Sequence, residues 1–127
     1  MRSGFIALAA LLGMATTAHA QQILSGGTLY GGPAQVRAVC YIYNSGTTSL
    51  GLSGTQLADP TGAVQPLAVN QCGSTLLAGQ ACGIAANIAG NQVYSCKTVV
   101  SPNKANARGI LEVRDSGHRT LQNVELR

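Results

Sequence analysis

With 127 residues, 16 glycines, four cysteines, no tryptophan and a formal net charge of +4, the chain has room for one domain around a modest core. Only 9% of its residues are charged, and the eight Lys and Arg are scattered, which argues against the clustered basic surface of a nucleic-acid binder. Two histidines and four acidic residues leave little material for a catalytic cluster.

Residues 1–20 read as a secretory signal peptide. Arg2 supplies the positive start, residues 5–15 form an apolar stretch of about a dozen, and Ala18-His19-Ala20 places small residues at both positions a signal peptidase requires. Cleavage is expected before Gln21. A membrane helix fits less well: a span needs roughly 20 apolar residues, and Thr16, Thr17 and His19 interrupt this one. No cysteine follows the cleavage point to carry a lipid, and one leader arginine does not make a twin-arginine signal. Removing the leader takes Phe5, His19 and Arg2 with it. The domain expected over residues 21–127 then has only Tyr30, Tyr41, Tyr43 and Tyr94 as aromatics, His118 as its histidine, and seven basic against four acidic residues, a net +3. No later stretch is long enough to cross a bilayer, so no membrane span is expected.

Short apolar runs separated by turn residues follow, the pattern of a sandwich or barrel. Residues 36–43 are the clearest strand, with Val36, Ala38, Cys40 and Ile42 on one face and Arg37, Val39, Tyr41 and Tyr43 on the other. Asn44-Ser45-Gly46 turns the chain. Residues 50–57 form the next strand, ended by Asp59-Pro60-Thr61-Gly62, where Pro presets the backbone and Gly accepts a positive φ. Residues 63–69 follow, with Pro66 indicating an edge or a bulge. Leu76-Leu77 and residues 81–88 flank Ala78-Gly79-Gln80. A helix over residues 76–88 is opposed by Gly73, Gly79 and Gly83 in or beside it, each costing a helix interior about 1 kcal/mol relative to Ala. Ala89-Gly90-Asn91 turns into residues 92–100. A polar loop over 101–106 precedes a last hairpin, 108–114 and 119–126, around Asp115-Ser116-Gly117-His118. Seven or eight strands in about 100 residues is the size of an all-β, immunoglobulin-like antiparallel sandwich.

In an exported chain the even cysteine count reads as two disulfides. Four cysteines allow three connectivities. Cys72 and Cys82 bracket a compact loop, and Cys40 and Cys96 lie within two separate strands, so Cys72–Cys82 with Cys40–Cys96 is preferred over the other two. On the chain-entropy model the short loop contributes roughly 3 kcal/mol and the long one roughly 4 kcal/mol. The gaps of 31, 9 and 13 residues lack the closely spaced pairs of a zinc site, and no C-x-x-C motif offers thiol–disulfide exchange. Neither a metal nor a cofactor is expected.

Two segments carry a family resemblance. Cys40-Tyr41-Ile42-Tyr43-Asn44-Ser45-Gly46 is similar to the early strand and Asn-x-Gly turn of exported bacterial Ig-like domains of the hydin-related and choice-of-anchor type. Cys72-Gly73-Ser74-Thr75-Leu76-Leu77-Ala78-Gly79-Gln80-Ala81-Cys82 resembles their Cys, Leu-x-x-Gly, Cys element. The chain departs from that pattern in lacking Phe-x-Pro after Cys82 and in carrying Cys96. The resemblance spans residues 36–88 and implies an Ig-like sandwich with a binding or structural role.

Candidate functional residues are few. A triad of His118, Asp115 and a serine would crowd one tight turn, without the strained nucleophile such sites show. Glu112 and Glu125 fall on adjacent strands that also carry Arg108, Arg114, Arg119 and Arg127, so cross-strand ion pairs are expected of them rather than paired-carboxylate chemistry. Tyr41 and Tyr43, with Val39, face away from Cys40; if the cystine points inward, the rings point outward and form a candidate binding surface. The polar loop 101–106, with Lys104 and Arg108, is a second candidate. The expectation is therefore an exported, non-enzymatic binding or accessory module whose ligand is an unknown protein or surface component. The alternatives are a structural part of an envelope assembly joined by strand addition, and a small secreted hydrolase.

Overall fold

The computed structural model describes residues 21–127; the expected signal peptide, residues 1–20, lies outside the described residues. The chain forms β1 (Gln22–Ser25), β2 (Arg37–Asn44), β3 (Leu50–Ala58), β4 (Val69–Asn70), β5 (Thr75–Leu76), β6 (Ala81–Asn87), β7 (Ser95–Ser101), β8 (Ala107–Arg114) and β9 (Thr120–Leu126). They build two antiparallel sheets, β1-β7-β3-β5 and β4-β6-β2-β8-β9, packed face to face as a sandwich. The fold is all-β, as the spacing of apolar runs and turns requires.

Strand β2 sits at the centre of the five-stranded sheet, and its side-chain period explains why. Ala38, Cys40 and Ile42 are wholly buried, while Tyr41 and Tyr43 on the opposite face are exposed. A slip of one residue would exchange those sets, so the buried face fixes the register against β6 and β8. Cys40 is joined to Cys96 on β7, a bond that crosses from one sheet to the other. The second disulfide is Cys72–Cys82. Both pairings are those the sequence favoured.

With no Trp or Phe among residues 21–127, the core consists of Leu, Ile, Val, Ala and cystine, including Leu24, Leu57, Ile84, Val100, Leu111 and Val113. Tyr94 is the one buried tyrosine of the described residues, and its hydroxyl accepts the Ala89 N–H at 2.9 Å. Three buried polar side chains act as internal ties. Gln35 accepts the Gly31 N–H and donates to the Ala89 and Gln92 carbonyls. Asn44 donates to the Thr48 and Leu76 carbonyls and accepts the Gly46 N–H, which locks the turn after β2 to β5. Thr98 shares a 2.7 Å hydrogen bond with Thr55. No buried side-chain nitrogen or oxygen among the described residues lacks a partner.

The two sides of the sandwich close differently. On one side, Ser25 and Arg127 exchange backbone hydrogen bonds of 3.0 and 2.8 Å, joining the end of β1 to the end of β9. On the other, the outermost strands β4 and β5 are two residues each, and the loop between them is pinned by Cys72–Cys82 and by the Leu52 N–H to Ser74 carbonyl bond. Short, stapled edges of this kind limit pairing with other chains.

Several boundaries differ from those read in the sequence. Strand β1 was not expected. Residues 63–69 make one bridge, Ala58 with Val64, before strand pairing resumes at Val69. Pro66 has no N–H to donate, so the ladder stops there. After the turn at Gly90 and Asn91, residues 92 and 93 lie outside the ladder, Tyr94 makes a single bridge with Leu29, and the regular strand starts at Ser95. The polar loop contains a 3-10 turn, Lys104–Asn106, whose N-terminus is capped by the Asn103 side chain.

Candidate binding face

The outer face of the five-stranded sheet is built from three neighbouring strands. Strand β2 presents Arg37, Val39, Tyr41 and Tyr43. Opposite them, β6 places Ala85 beside Val39, Gly83 beside Tyr41 and Ala81 beside Tyr43. On the other flank, β8 places Arg114, Glu112, Ile110 and Arg108 beside the same four positions. One side of the β2 ridge is therefore nearly bare of side chains, and the other is charged and apolar by turns.

Tyr41 and Tyr43 are 36% and 44% exposed, whereas Val39 on the same face is 6% exposed. Val39 points away from the core yet forms a covered floor beneath its neighbours. The bareness of β6 matters here: a Cβ on Gly83 would lie 3.1 Å from the Tyr41 ring, so the glycine lets that ring settle over the strand. Above the ring, the Arg114 guanidinium stands 5.9 Å from its centre and donates to the Tyr41 hydroxyl at 3.4 Å. Arg114 is also ion-paired to Glu112 on its own strand. Hydrogen bonding to Glu112 raises the arginine's pKa above its ordinary value, outweighing the opposite effect of partial burial.

Tyr41 separates two grooves. The first, about 250 Å³, is lined among others by Arg37, Val39, Val69, Arg114 and His118. The second, about 350 Å³, lies between Tyr43, Arg108, Ile110 and Glu125. With Gly83 beside the ring and Arg114 over it, Tyr41 offers its edge and the free side of its hydroxyl to a ligand. A two-residue step along a strand is about 6.8 Å, so Tyr41 and Tyr43 offer adjacent contacts to one extended molecule.

Of the titratable groups near the last hairpin, Asp115 and Glu112 are engaged by arginines. His118 is exposed at the β8–β9 turn with a positive φ of 63°, a conformation histidine adopts more readily than most residues. Asp115 accepts from the Gly117 and Arg119 N–H groups and from the Arg119 guanidinium. The Arg119 backbone bond, followed by its side-chain bond, holds the Asp115 carboxyl below the usual carboxylate range. Asp115 thus closes the turn. The expected cross-strand pairs of Glu112 and Glu125 are corrected: Glu112 pairs with Arg114 two residues along β8, and the other ion pair among the described residues is Arg119 with Asp115 across the turn. Same-strand side chains two apart share a face, and the residues directly opposite Glu112, Val39 on β2 and Asn123 on β9, offer no cation.

The second candidate, the polar loop, uses its polar groups to hold β1. The Lys104 N–H donates to the Gln22 side chain at 2.9 Å, its ammonium to the Ile23 carbonyl at 3.1 Å, and Arg108 to the Ala105 and Ala107 carbonyls. Among the described residues, no group of three His, Cys, Asp or Glu is placed to hold a metal, all four cysteines are in disulfides, and no helix is long and apolar enough to cross a membrane.

The convergence of Arg37, Arg114 and His118 on the first groove was not foreseen, because it depends on a register linking residues far apart in the chain. No family model, curated protein or solved structure matches the chain.

Proposed function

We propose that this protein is an exported, non-catalytic binding module that takes its ligand on the outer face of the five-stranded sheet, at Tyr41 and Tyr43. The observation that carries the reading is the pair of exposed rings, Tyr41 between two grooves and Tyr43 lining the second, on a strand anchored from behind by the Cys40–Cys96 bond. Tyrosine brings large contact area and a polar tip with few torsions to freeze, which suits recognition. The two disulfides support an oxidising compartment, in keeping with the signal peptide expected at residues 1–20. The resemblance to exported Ig-like domains supports a binding role rather than an activity. The engagement of Asp115 and Glu112 by arginines favours binding over a hydrolase. Assembly by strand addition has less support, since the ends of β1 and β9 bond to each other and β4 and β5 are short.

The test is capture from the envelope fraction of cells that make the protein, comparing the native domain with the Tyr41→Ser/Tyr43→Ser variant. Loss of two central aromatic contacts should weaken capture at least about thirtyfold, the effect of a hot-spot residue, with circular dichroism unchanged. Equal capture by a folded variant would refute the face.

A further inference from the structure

We propose that the groove between Arg37, Arg114 and His118 holds the carboxylate of an acidic sugar unit; this names a ligand class for the face described above and rests on that reading. Arg37 and Arg114 stand directly opposite each other on β2 and β8. Like charges in that arrangement repel, and sequences ordinarily place an opposite or neutral residue there. Arg114 is neutralised by Glu112, but half-buried Arg37 has no ion-pair partner among the described residues. The groove therefore carries one uncompensated guanidinium, which matches one carboxylate more closely than a doubly charged phosphate. A guanidinium fork meets a planar carboxylate with two parallel hydrogen bonds. The exposed His118, held at its positive φ on the lip, lines the same groove and adds a polar ring to it.

The rest of the groove fits the body of a sugar rather than a bare ion. Besides its charged groups the groove is lined by apolar Val39, Val69 and Ala85 and by Gln71, whose amide can meet a sugar hydroxyl; Val39 is buried although it faces outward. The volume of about 250 Å³ accommodates a single ring. Tyr41 forms one wall and, with Arg114 over its ring, offers its edge and hydroxyl to the sugar's C–H and O–H groups.

Polygalacturonate and neutral dextran, each immobilised, provide the test with the folded domain of residues 21–127 as analyte. Polygalacturonate should bind and dextran should not. Arg37→Gln should weaken binding at least about tenfold, and Arg37→Lys, which keeps the charge but loses the fork, should lie between. Lys97→Gln removes the same charge from an exposed site on the other sheet and should change affinity less than about twofold. Equal losses for Arg37→Gln and Lys97→Gln, equal binding of dextran, or no binding of polygalacturonate would each overturn the assignment. Failure here alongside tyrosine-dependent capture from the envelope sinks the acidic-sugar ligand alone, whereas tyrosine-independent capture sinks the face.

Discussion

Removing the two disulfides separately should cost different amounts, and the difference follows from the loops they close. Cys40–Cys96 spans a sequence separation of 56 and Cys72–Cys82 a separation of 10. On the chain-entropy model the long loop restricts the unfolded ensemble by about 4 kcal/mol and the short one by about 3 kcal/mol, a gap of about 1.5 kcal/mol before rounding. The sites widen that gap. Cys40 and Cys96 are sealed in the core, so Cys40→Ala/Cys96→Ala also leaves a void worth about 1 kcal/mol, while Cys72 is partly exposed and its surroundings can relax. Against a total of about 5–15 kcal/mol, the inter-sheet pair should leave a marginal domain and the loop pair a folded one. Urea unfolding of both paired variants, extrapolated to water, measures this, and the slope should steepen in each as the unfolded chain expands. If Cys72→Ala/Cys82→Ala proved the more damaging, loop length would not govern the cost of losing a bond, and the inter-sheet disulfide would not be the principal brace.

Two further outcomes rest on local chemistry. Asn44→Ala removes the partner of the Gly46 N–H and of the Leu76 carbonyl in a buried site and should cost about 2–3 kcal/mol in urea unfolding; a change under about 0.5 kcal/mol would show that water replaces the side chain. The carboxyls of Asp115, held down first by the Arg119 N–H, and Asp59, held down first by the Thr61 hydroxyl, both have lowered pKa values. Groups shifted in this direction stabilise the fold above their unfolded value, about pH 3.9, and lose that contribution as pH falls through the folded value. The urea midpoint should therefore drop below about pH 4, and Asp59→Asn/Asp115→Asn should flatten the drop; an unchanged acid slope in that variant would assign it to other groups.

Much of the scaffold was legible from residues close together in the chain. The alternation from Arg37 to Tyr43 fixed which side chains face the core, and the cysteine spacing favoured the observed pairing. What escaped needed distant partners. Strand β1 is four residues beside the expected leader, and it becomes a strand because β7 supplies the ladder and Leu24 enters the core. Residues 63–69 start back along β3, with the Gln65 N–H on the Leu57 carbonyl, but Pro66 ends the pairing. The groove was hidden for a related reason: Arg37 meets Arg114 through the β2–β8 register alone, and a local pattern carries no trace of it.

The tyrosines themselves supply the most direct measurement. Tetranitromethane modifies accessible tyrosine rings, and the four rings of residues 21–127 include exposed Tyr30, Tyr41 and Tyr43 with buried Tyr94 as an internal standard. Mass spectrometry of the free domain and of the domain bound to its envelope fraction should show Tyr41 and Tyr43 protected on binding, Tyr30 still nitrated and Tyr94 unreactive in both. Protection of Tyr30 with Tyr41 and Tyr43 modified as fully as in the free domain would place the ligand elsewhere and contradict the account.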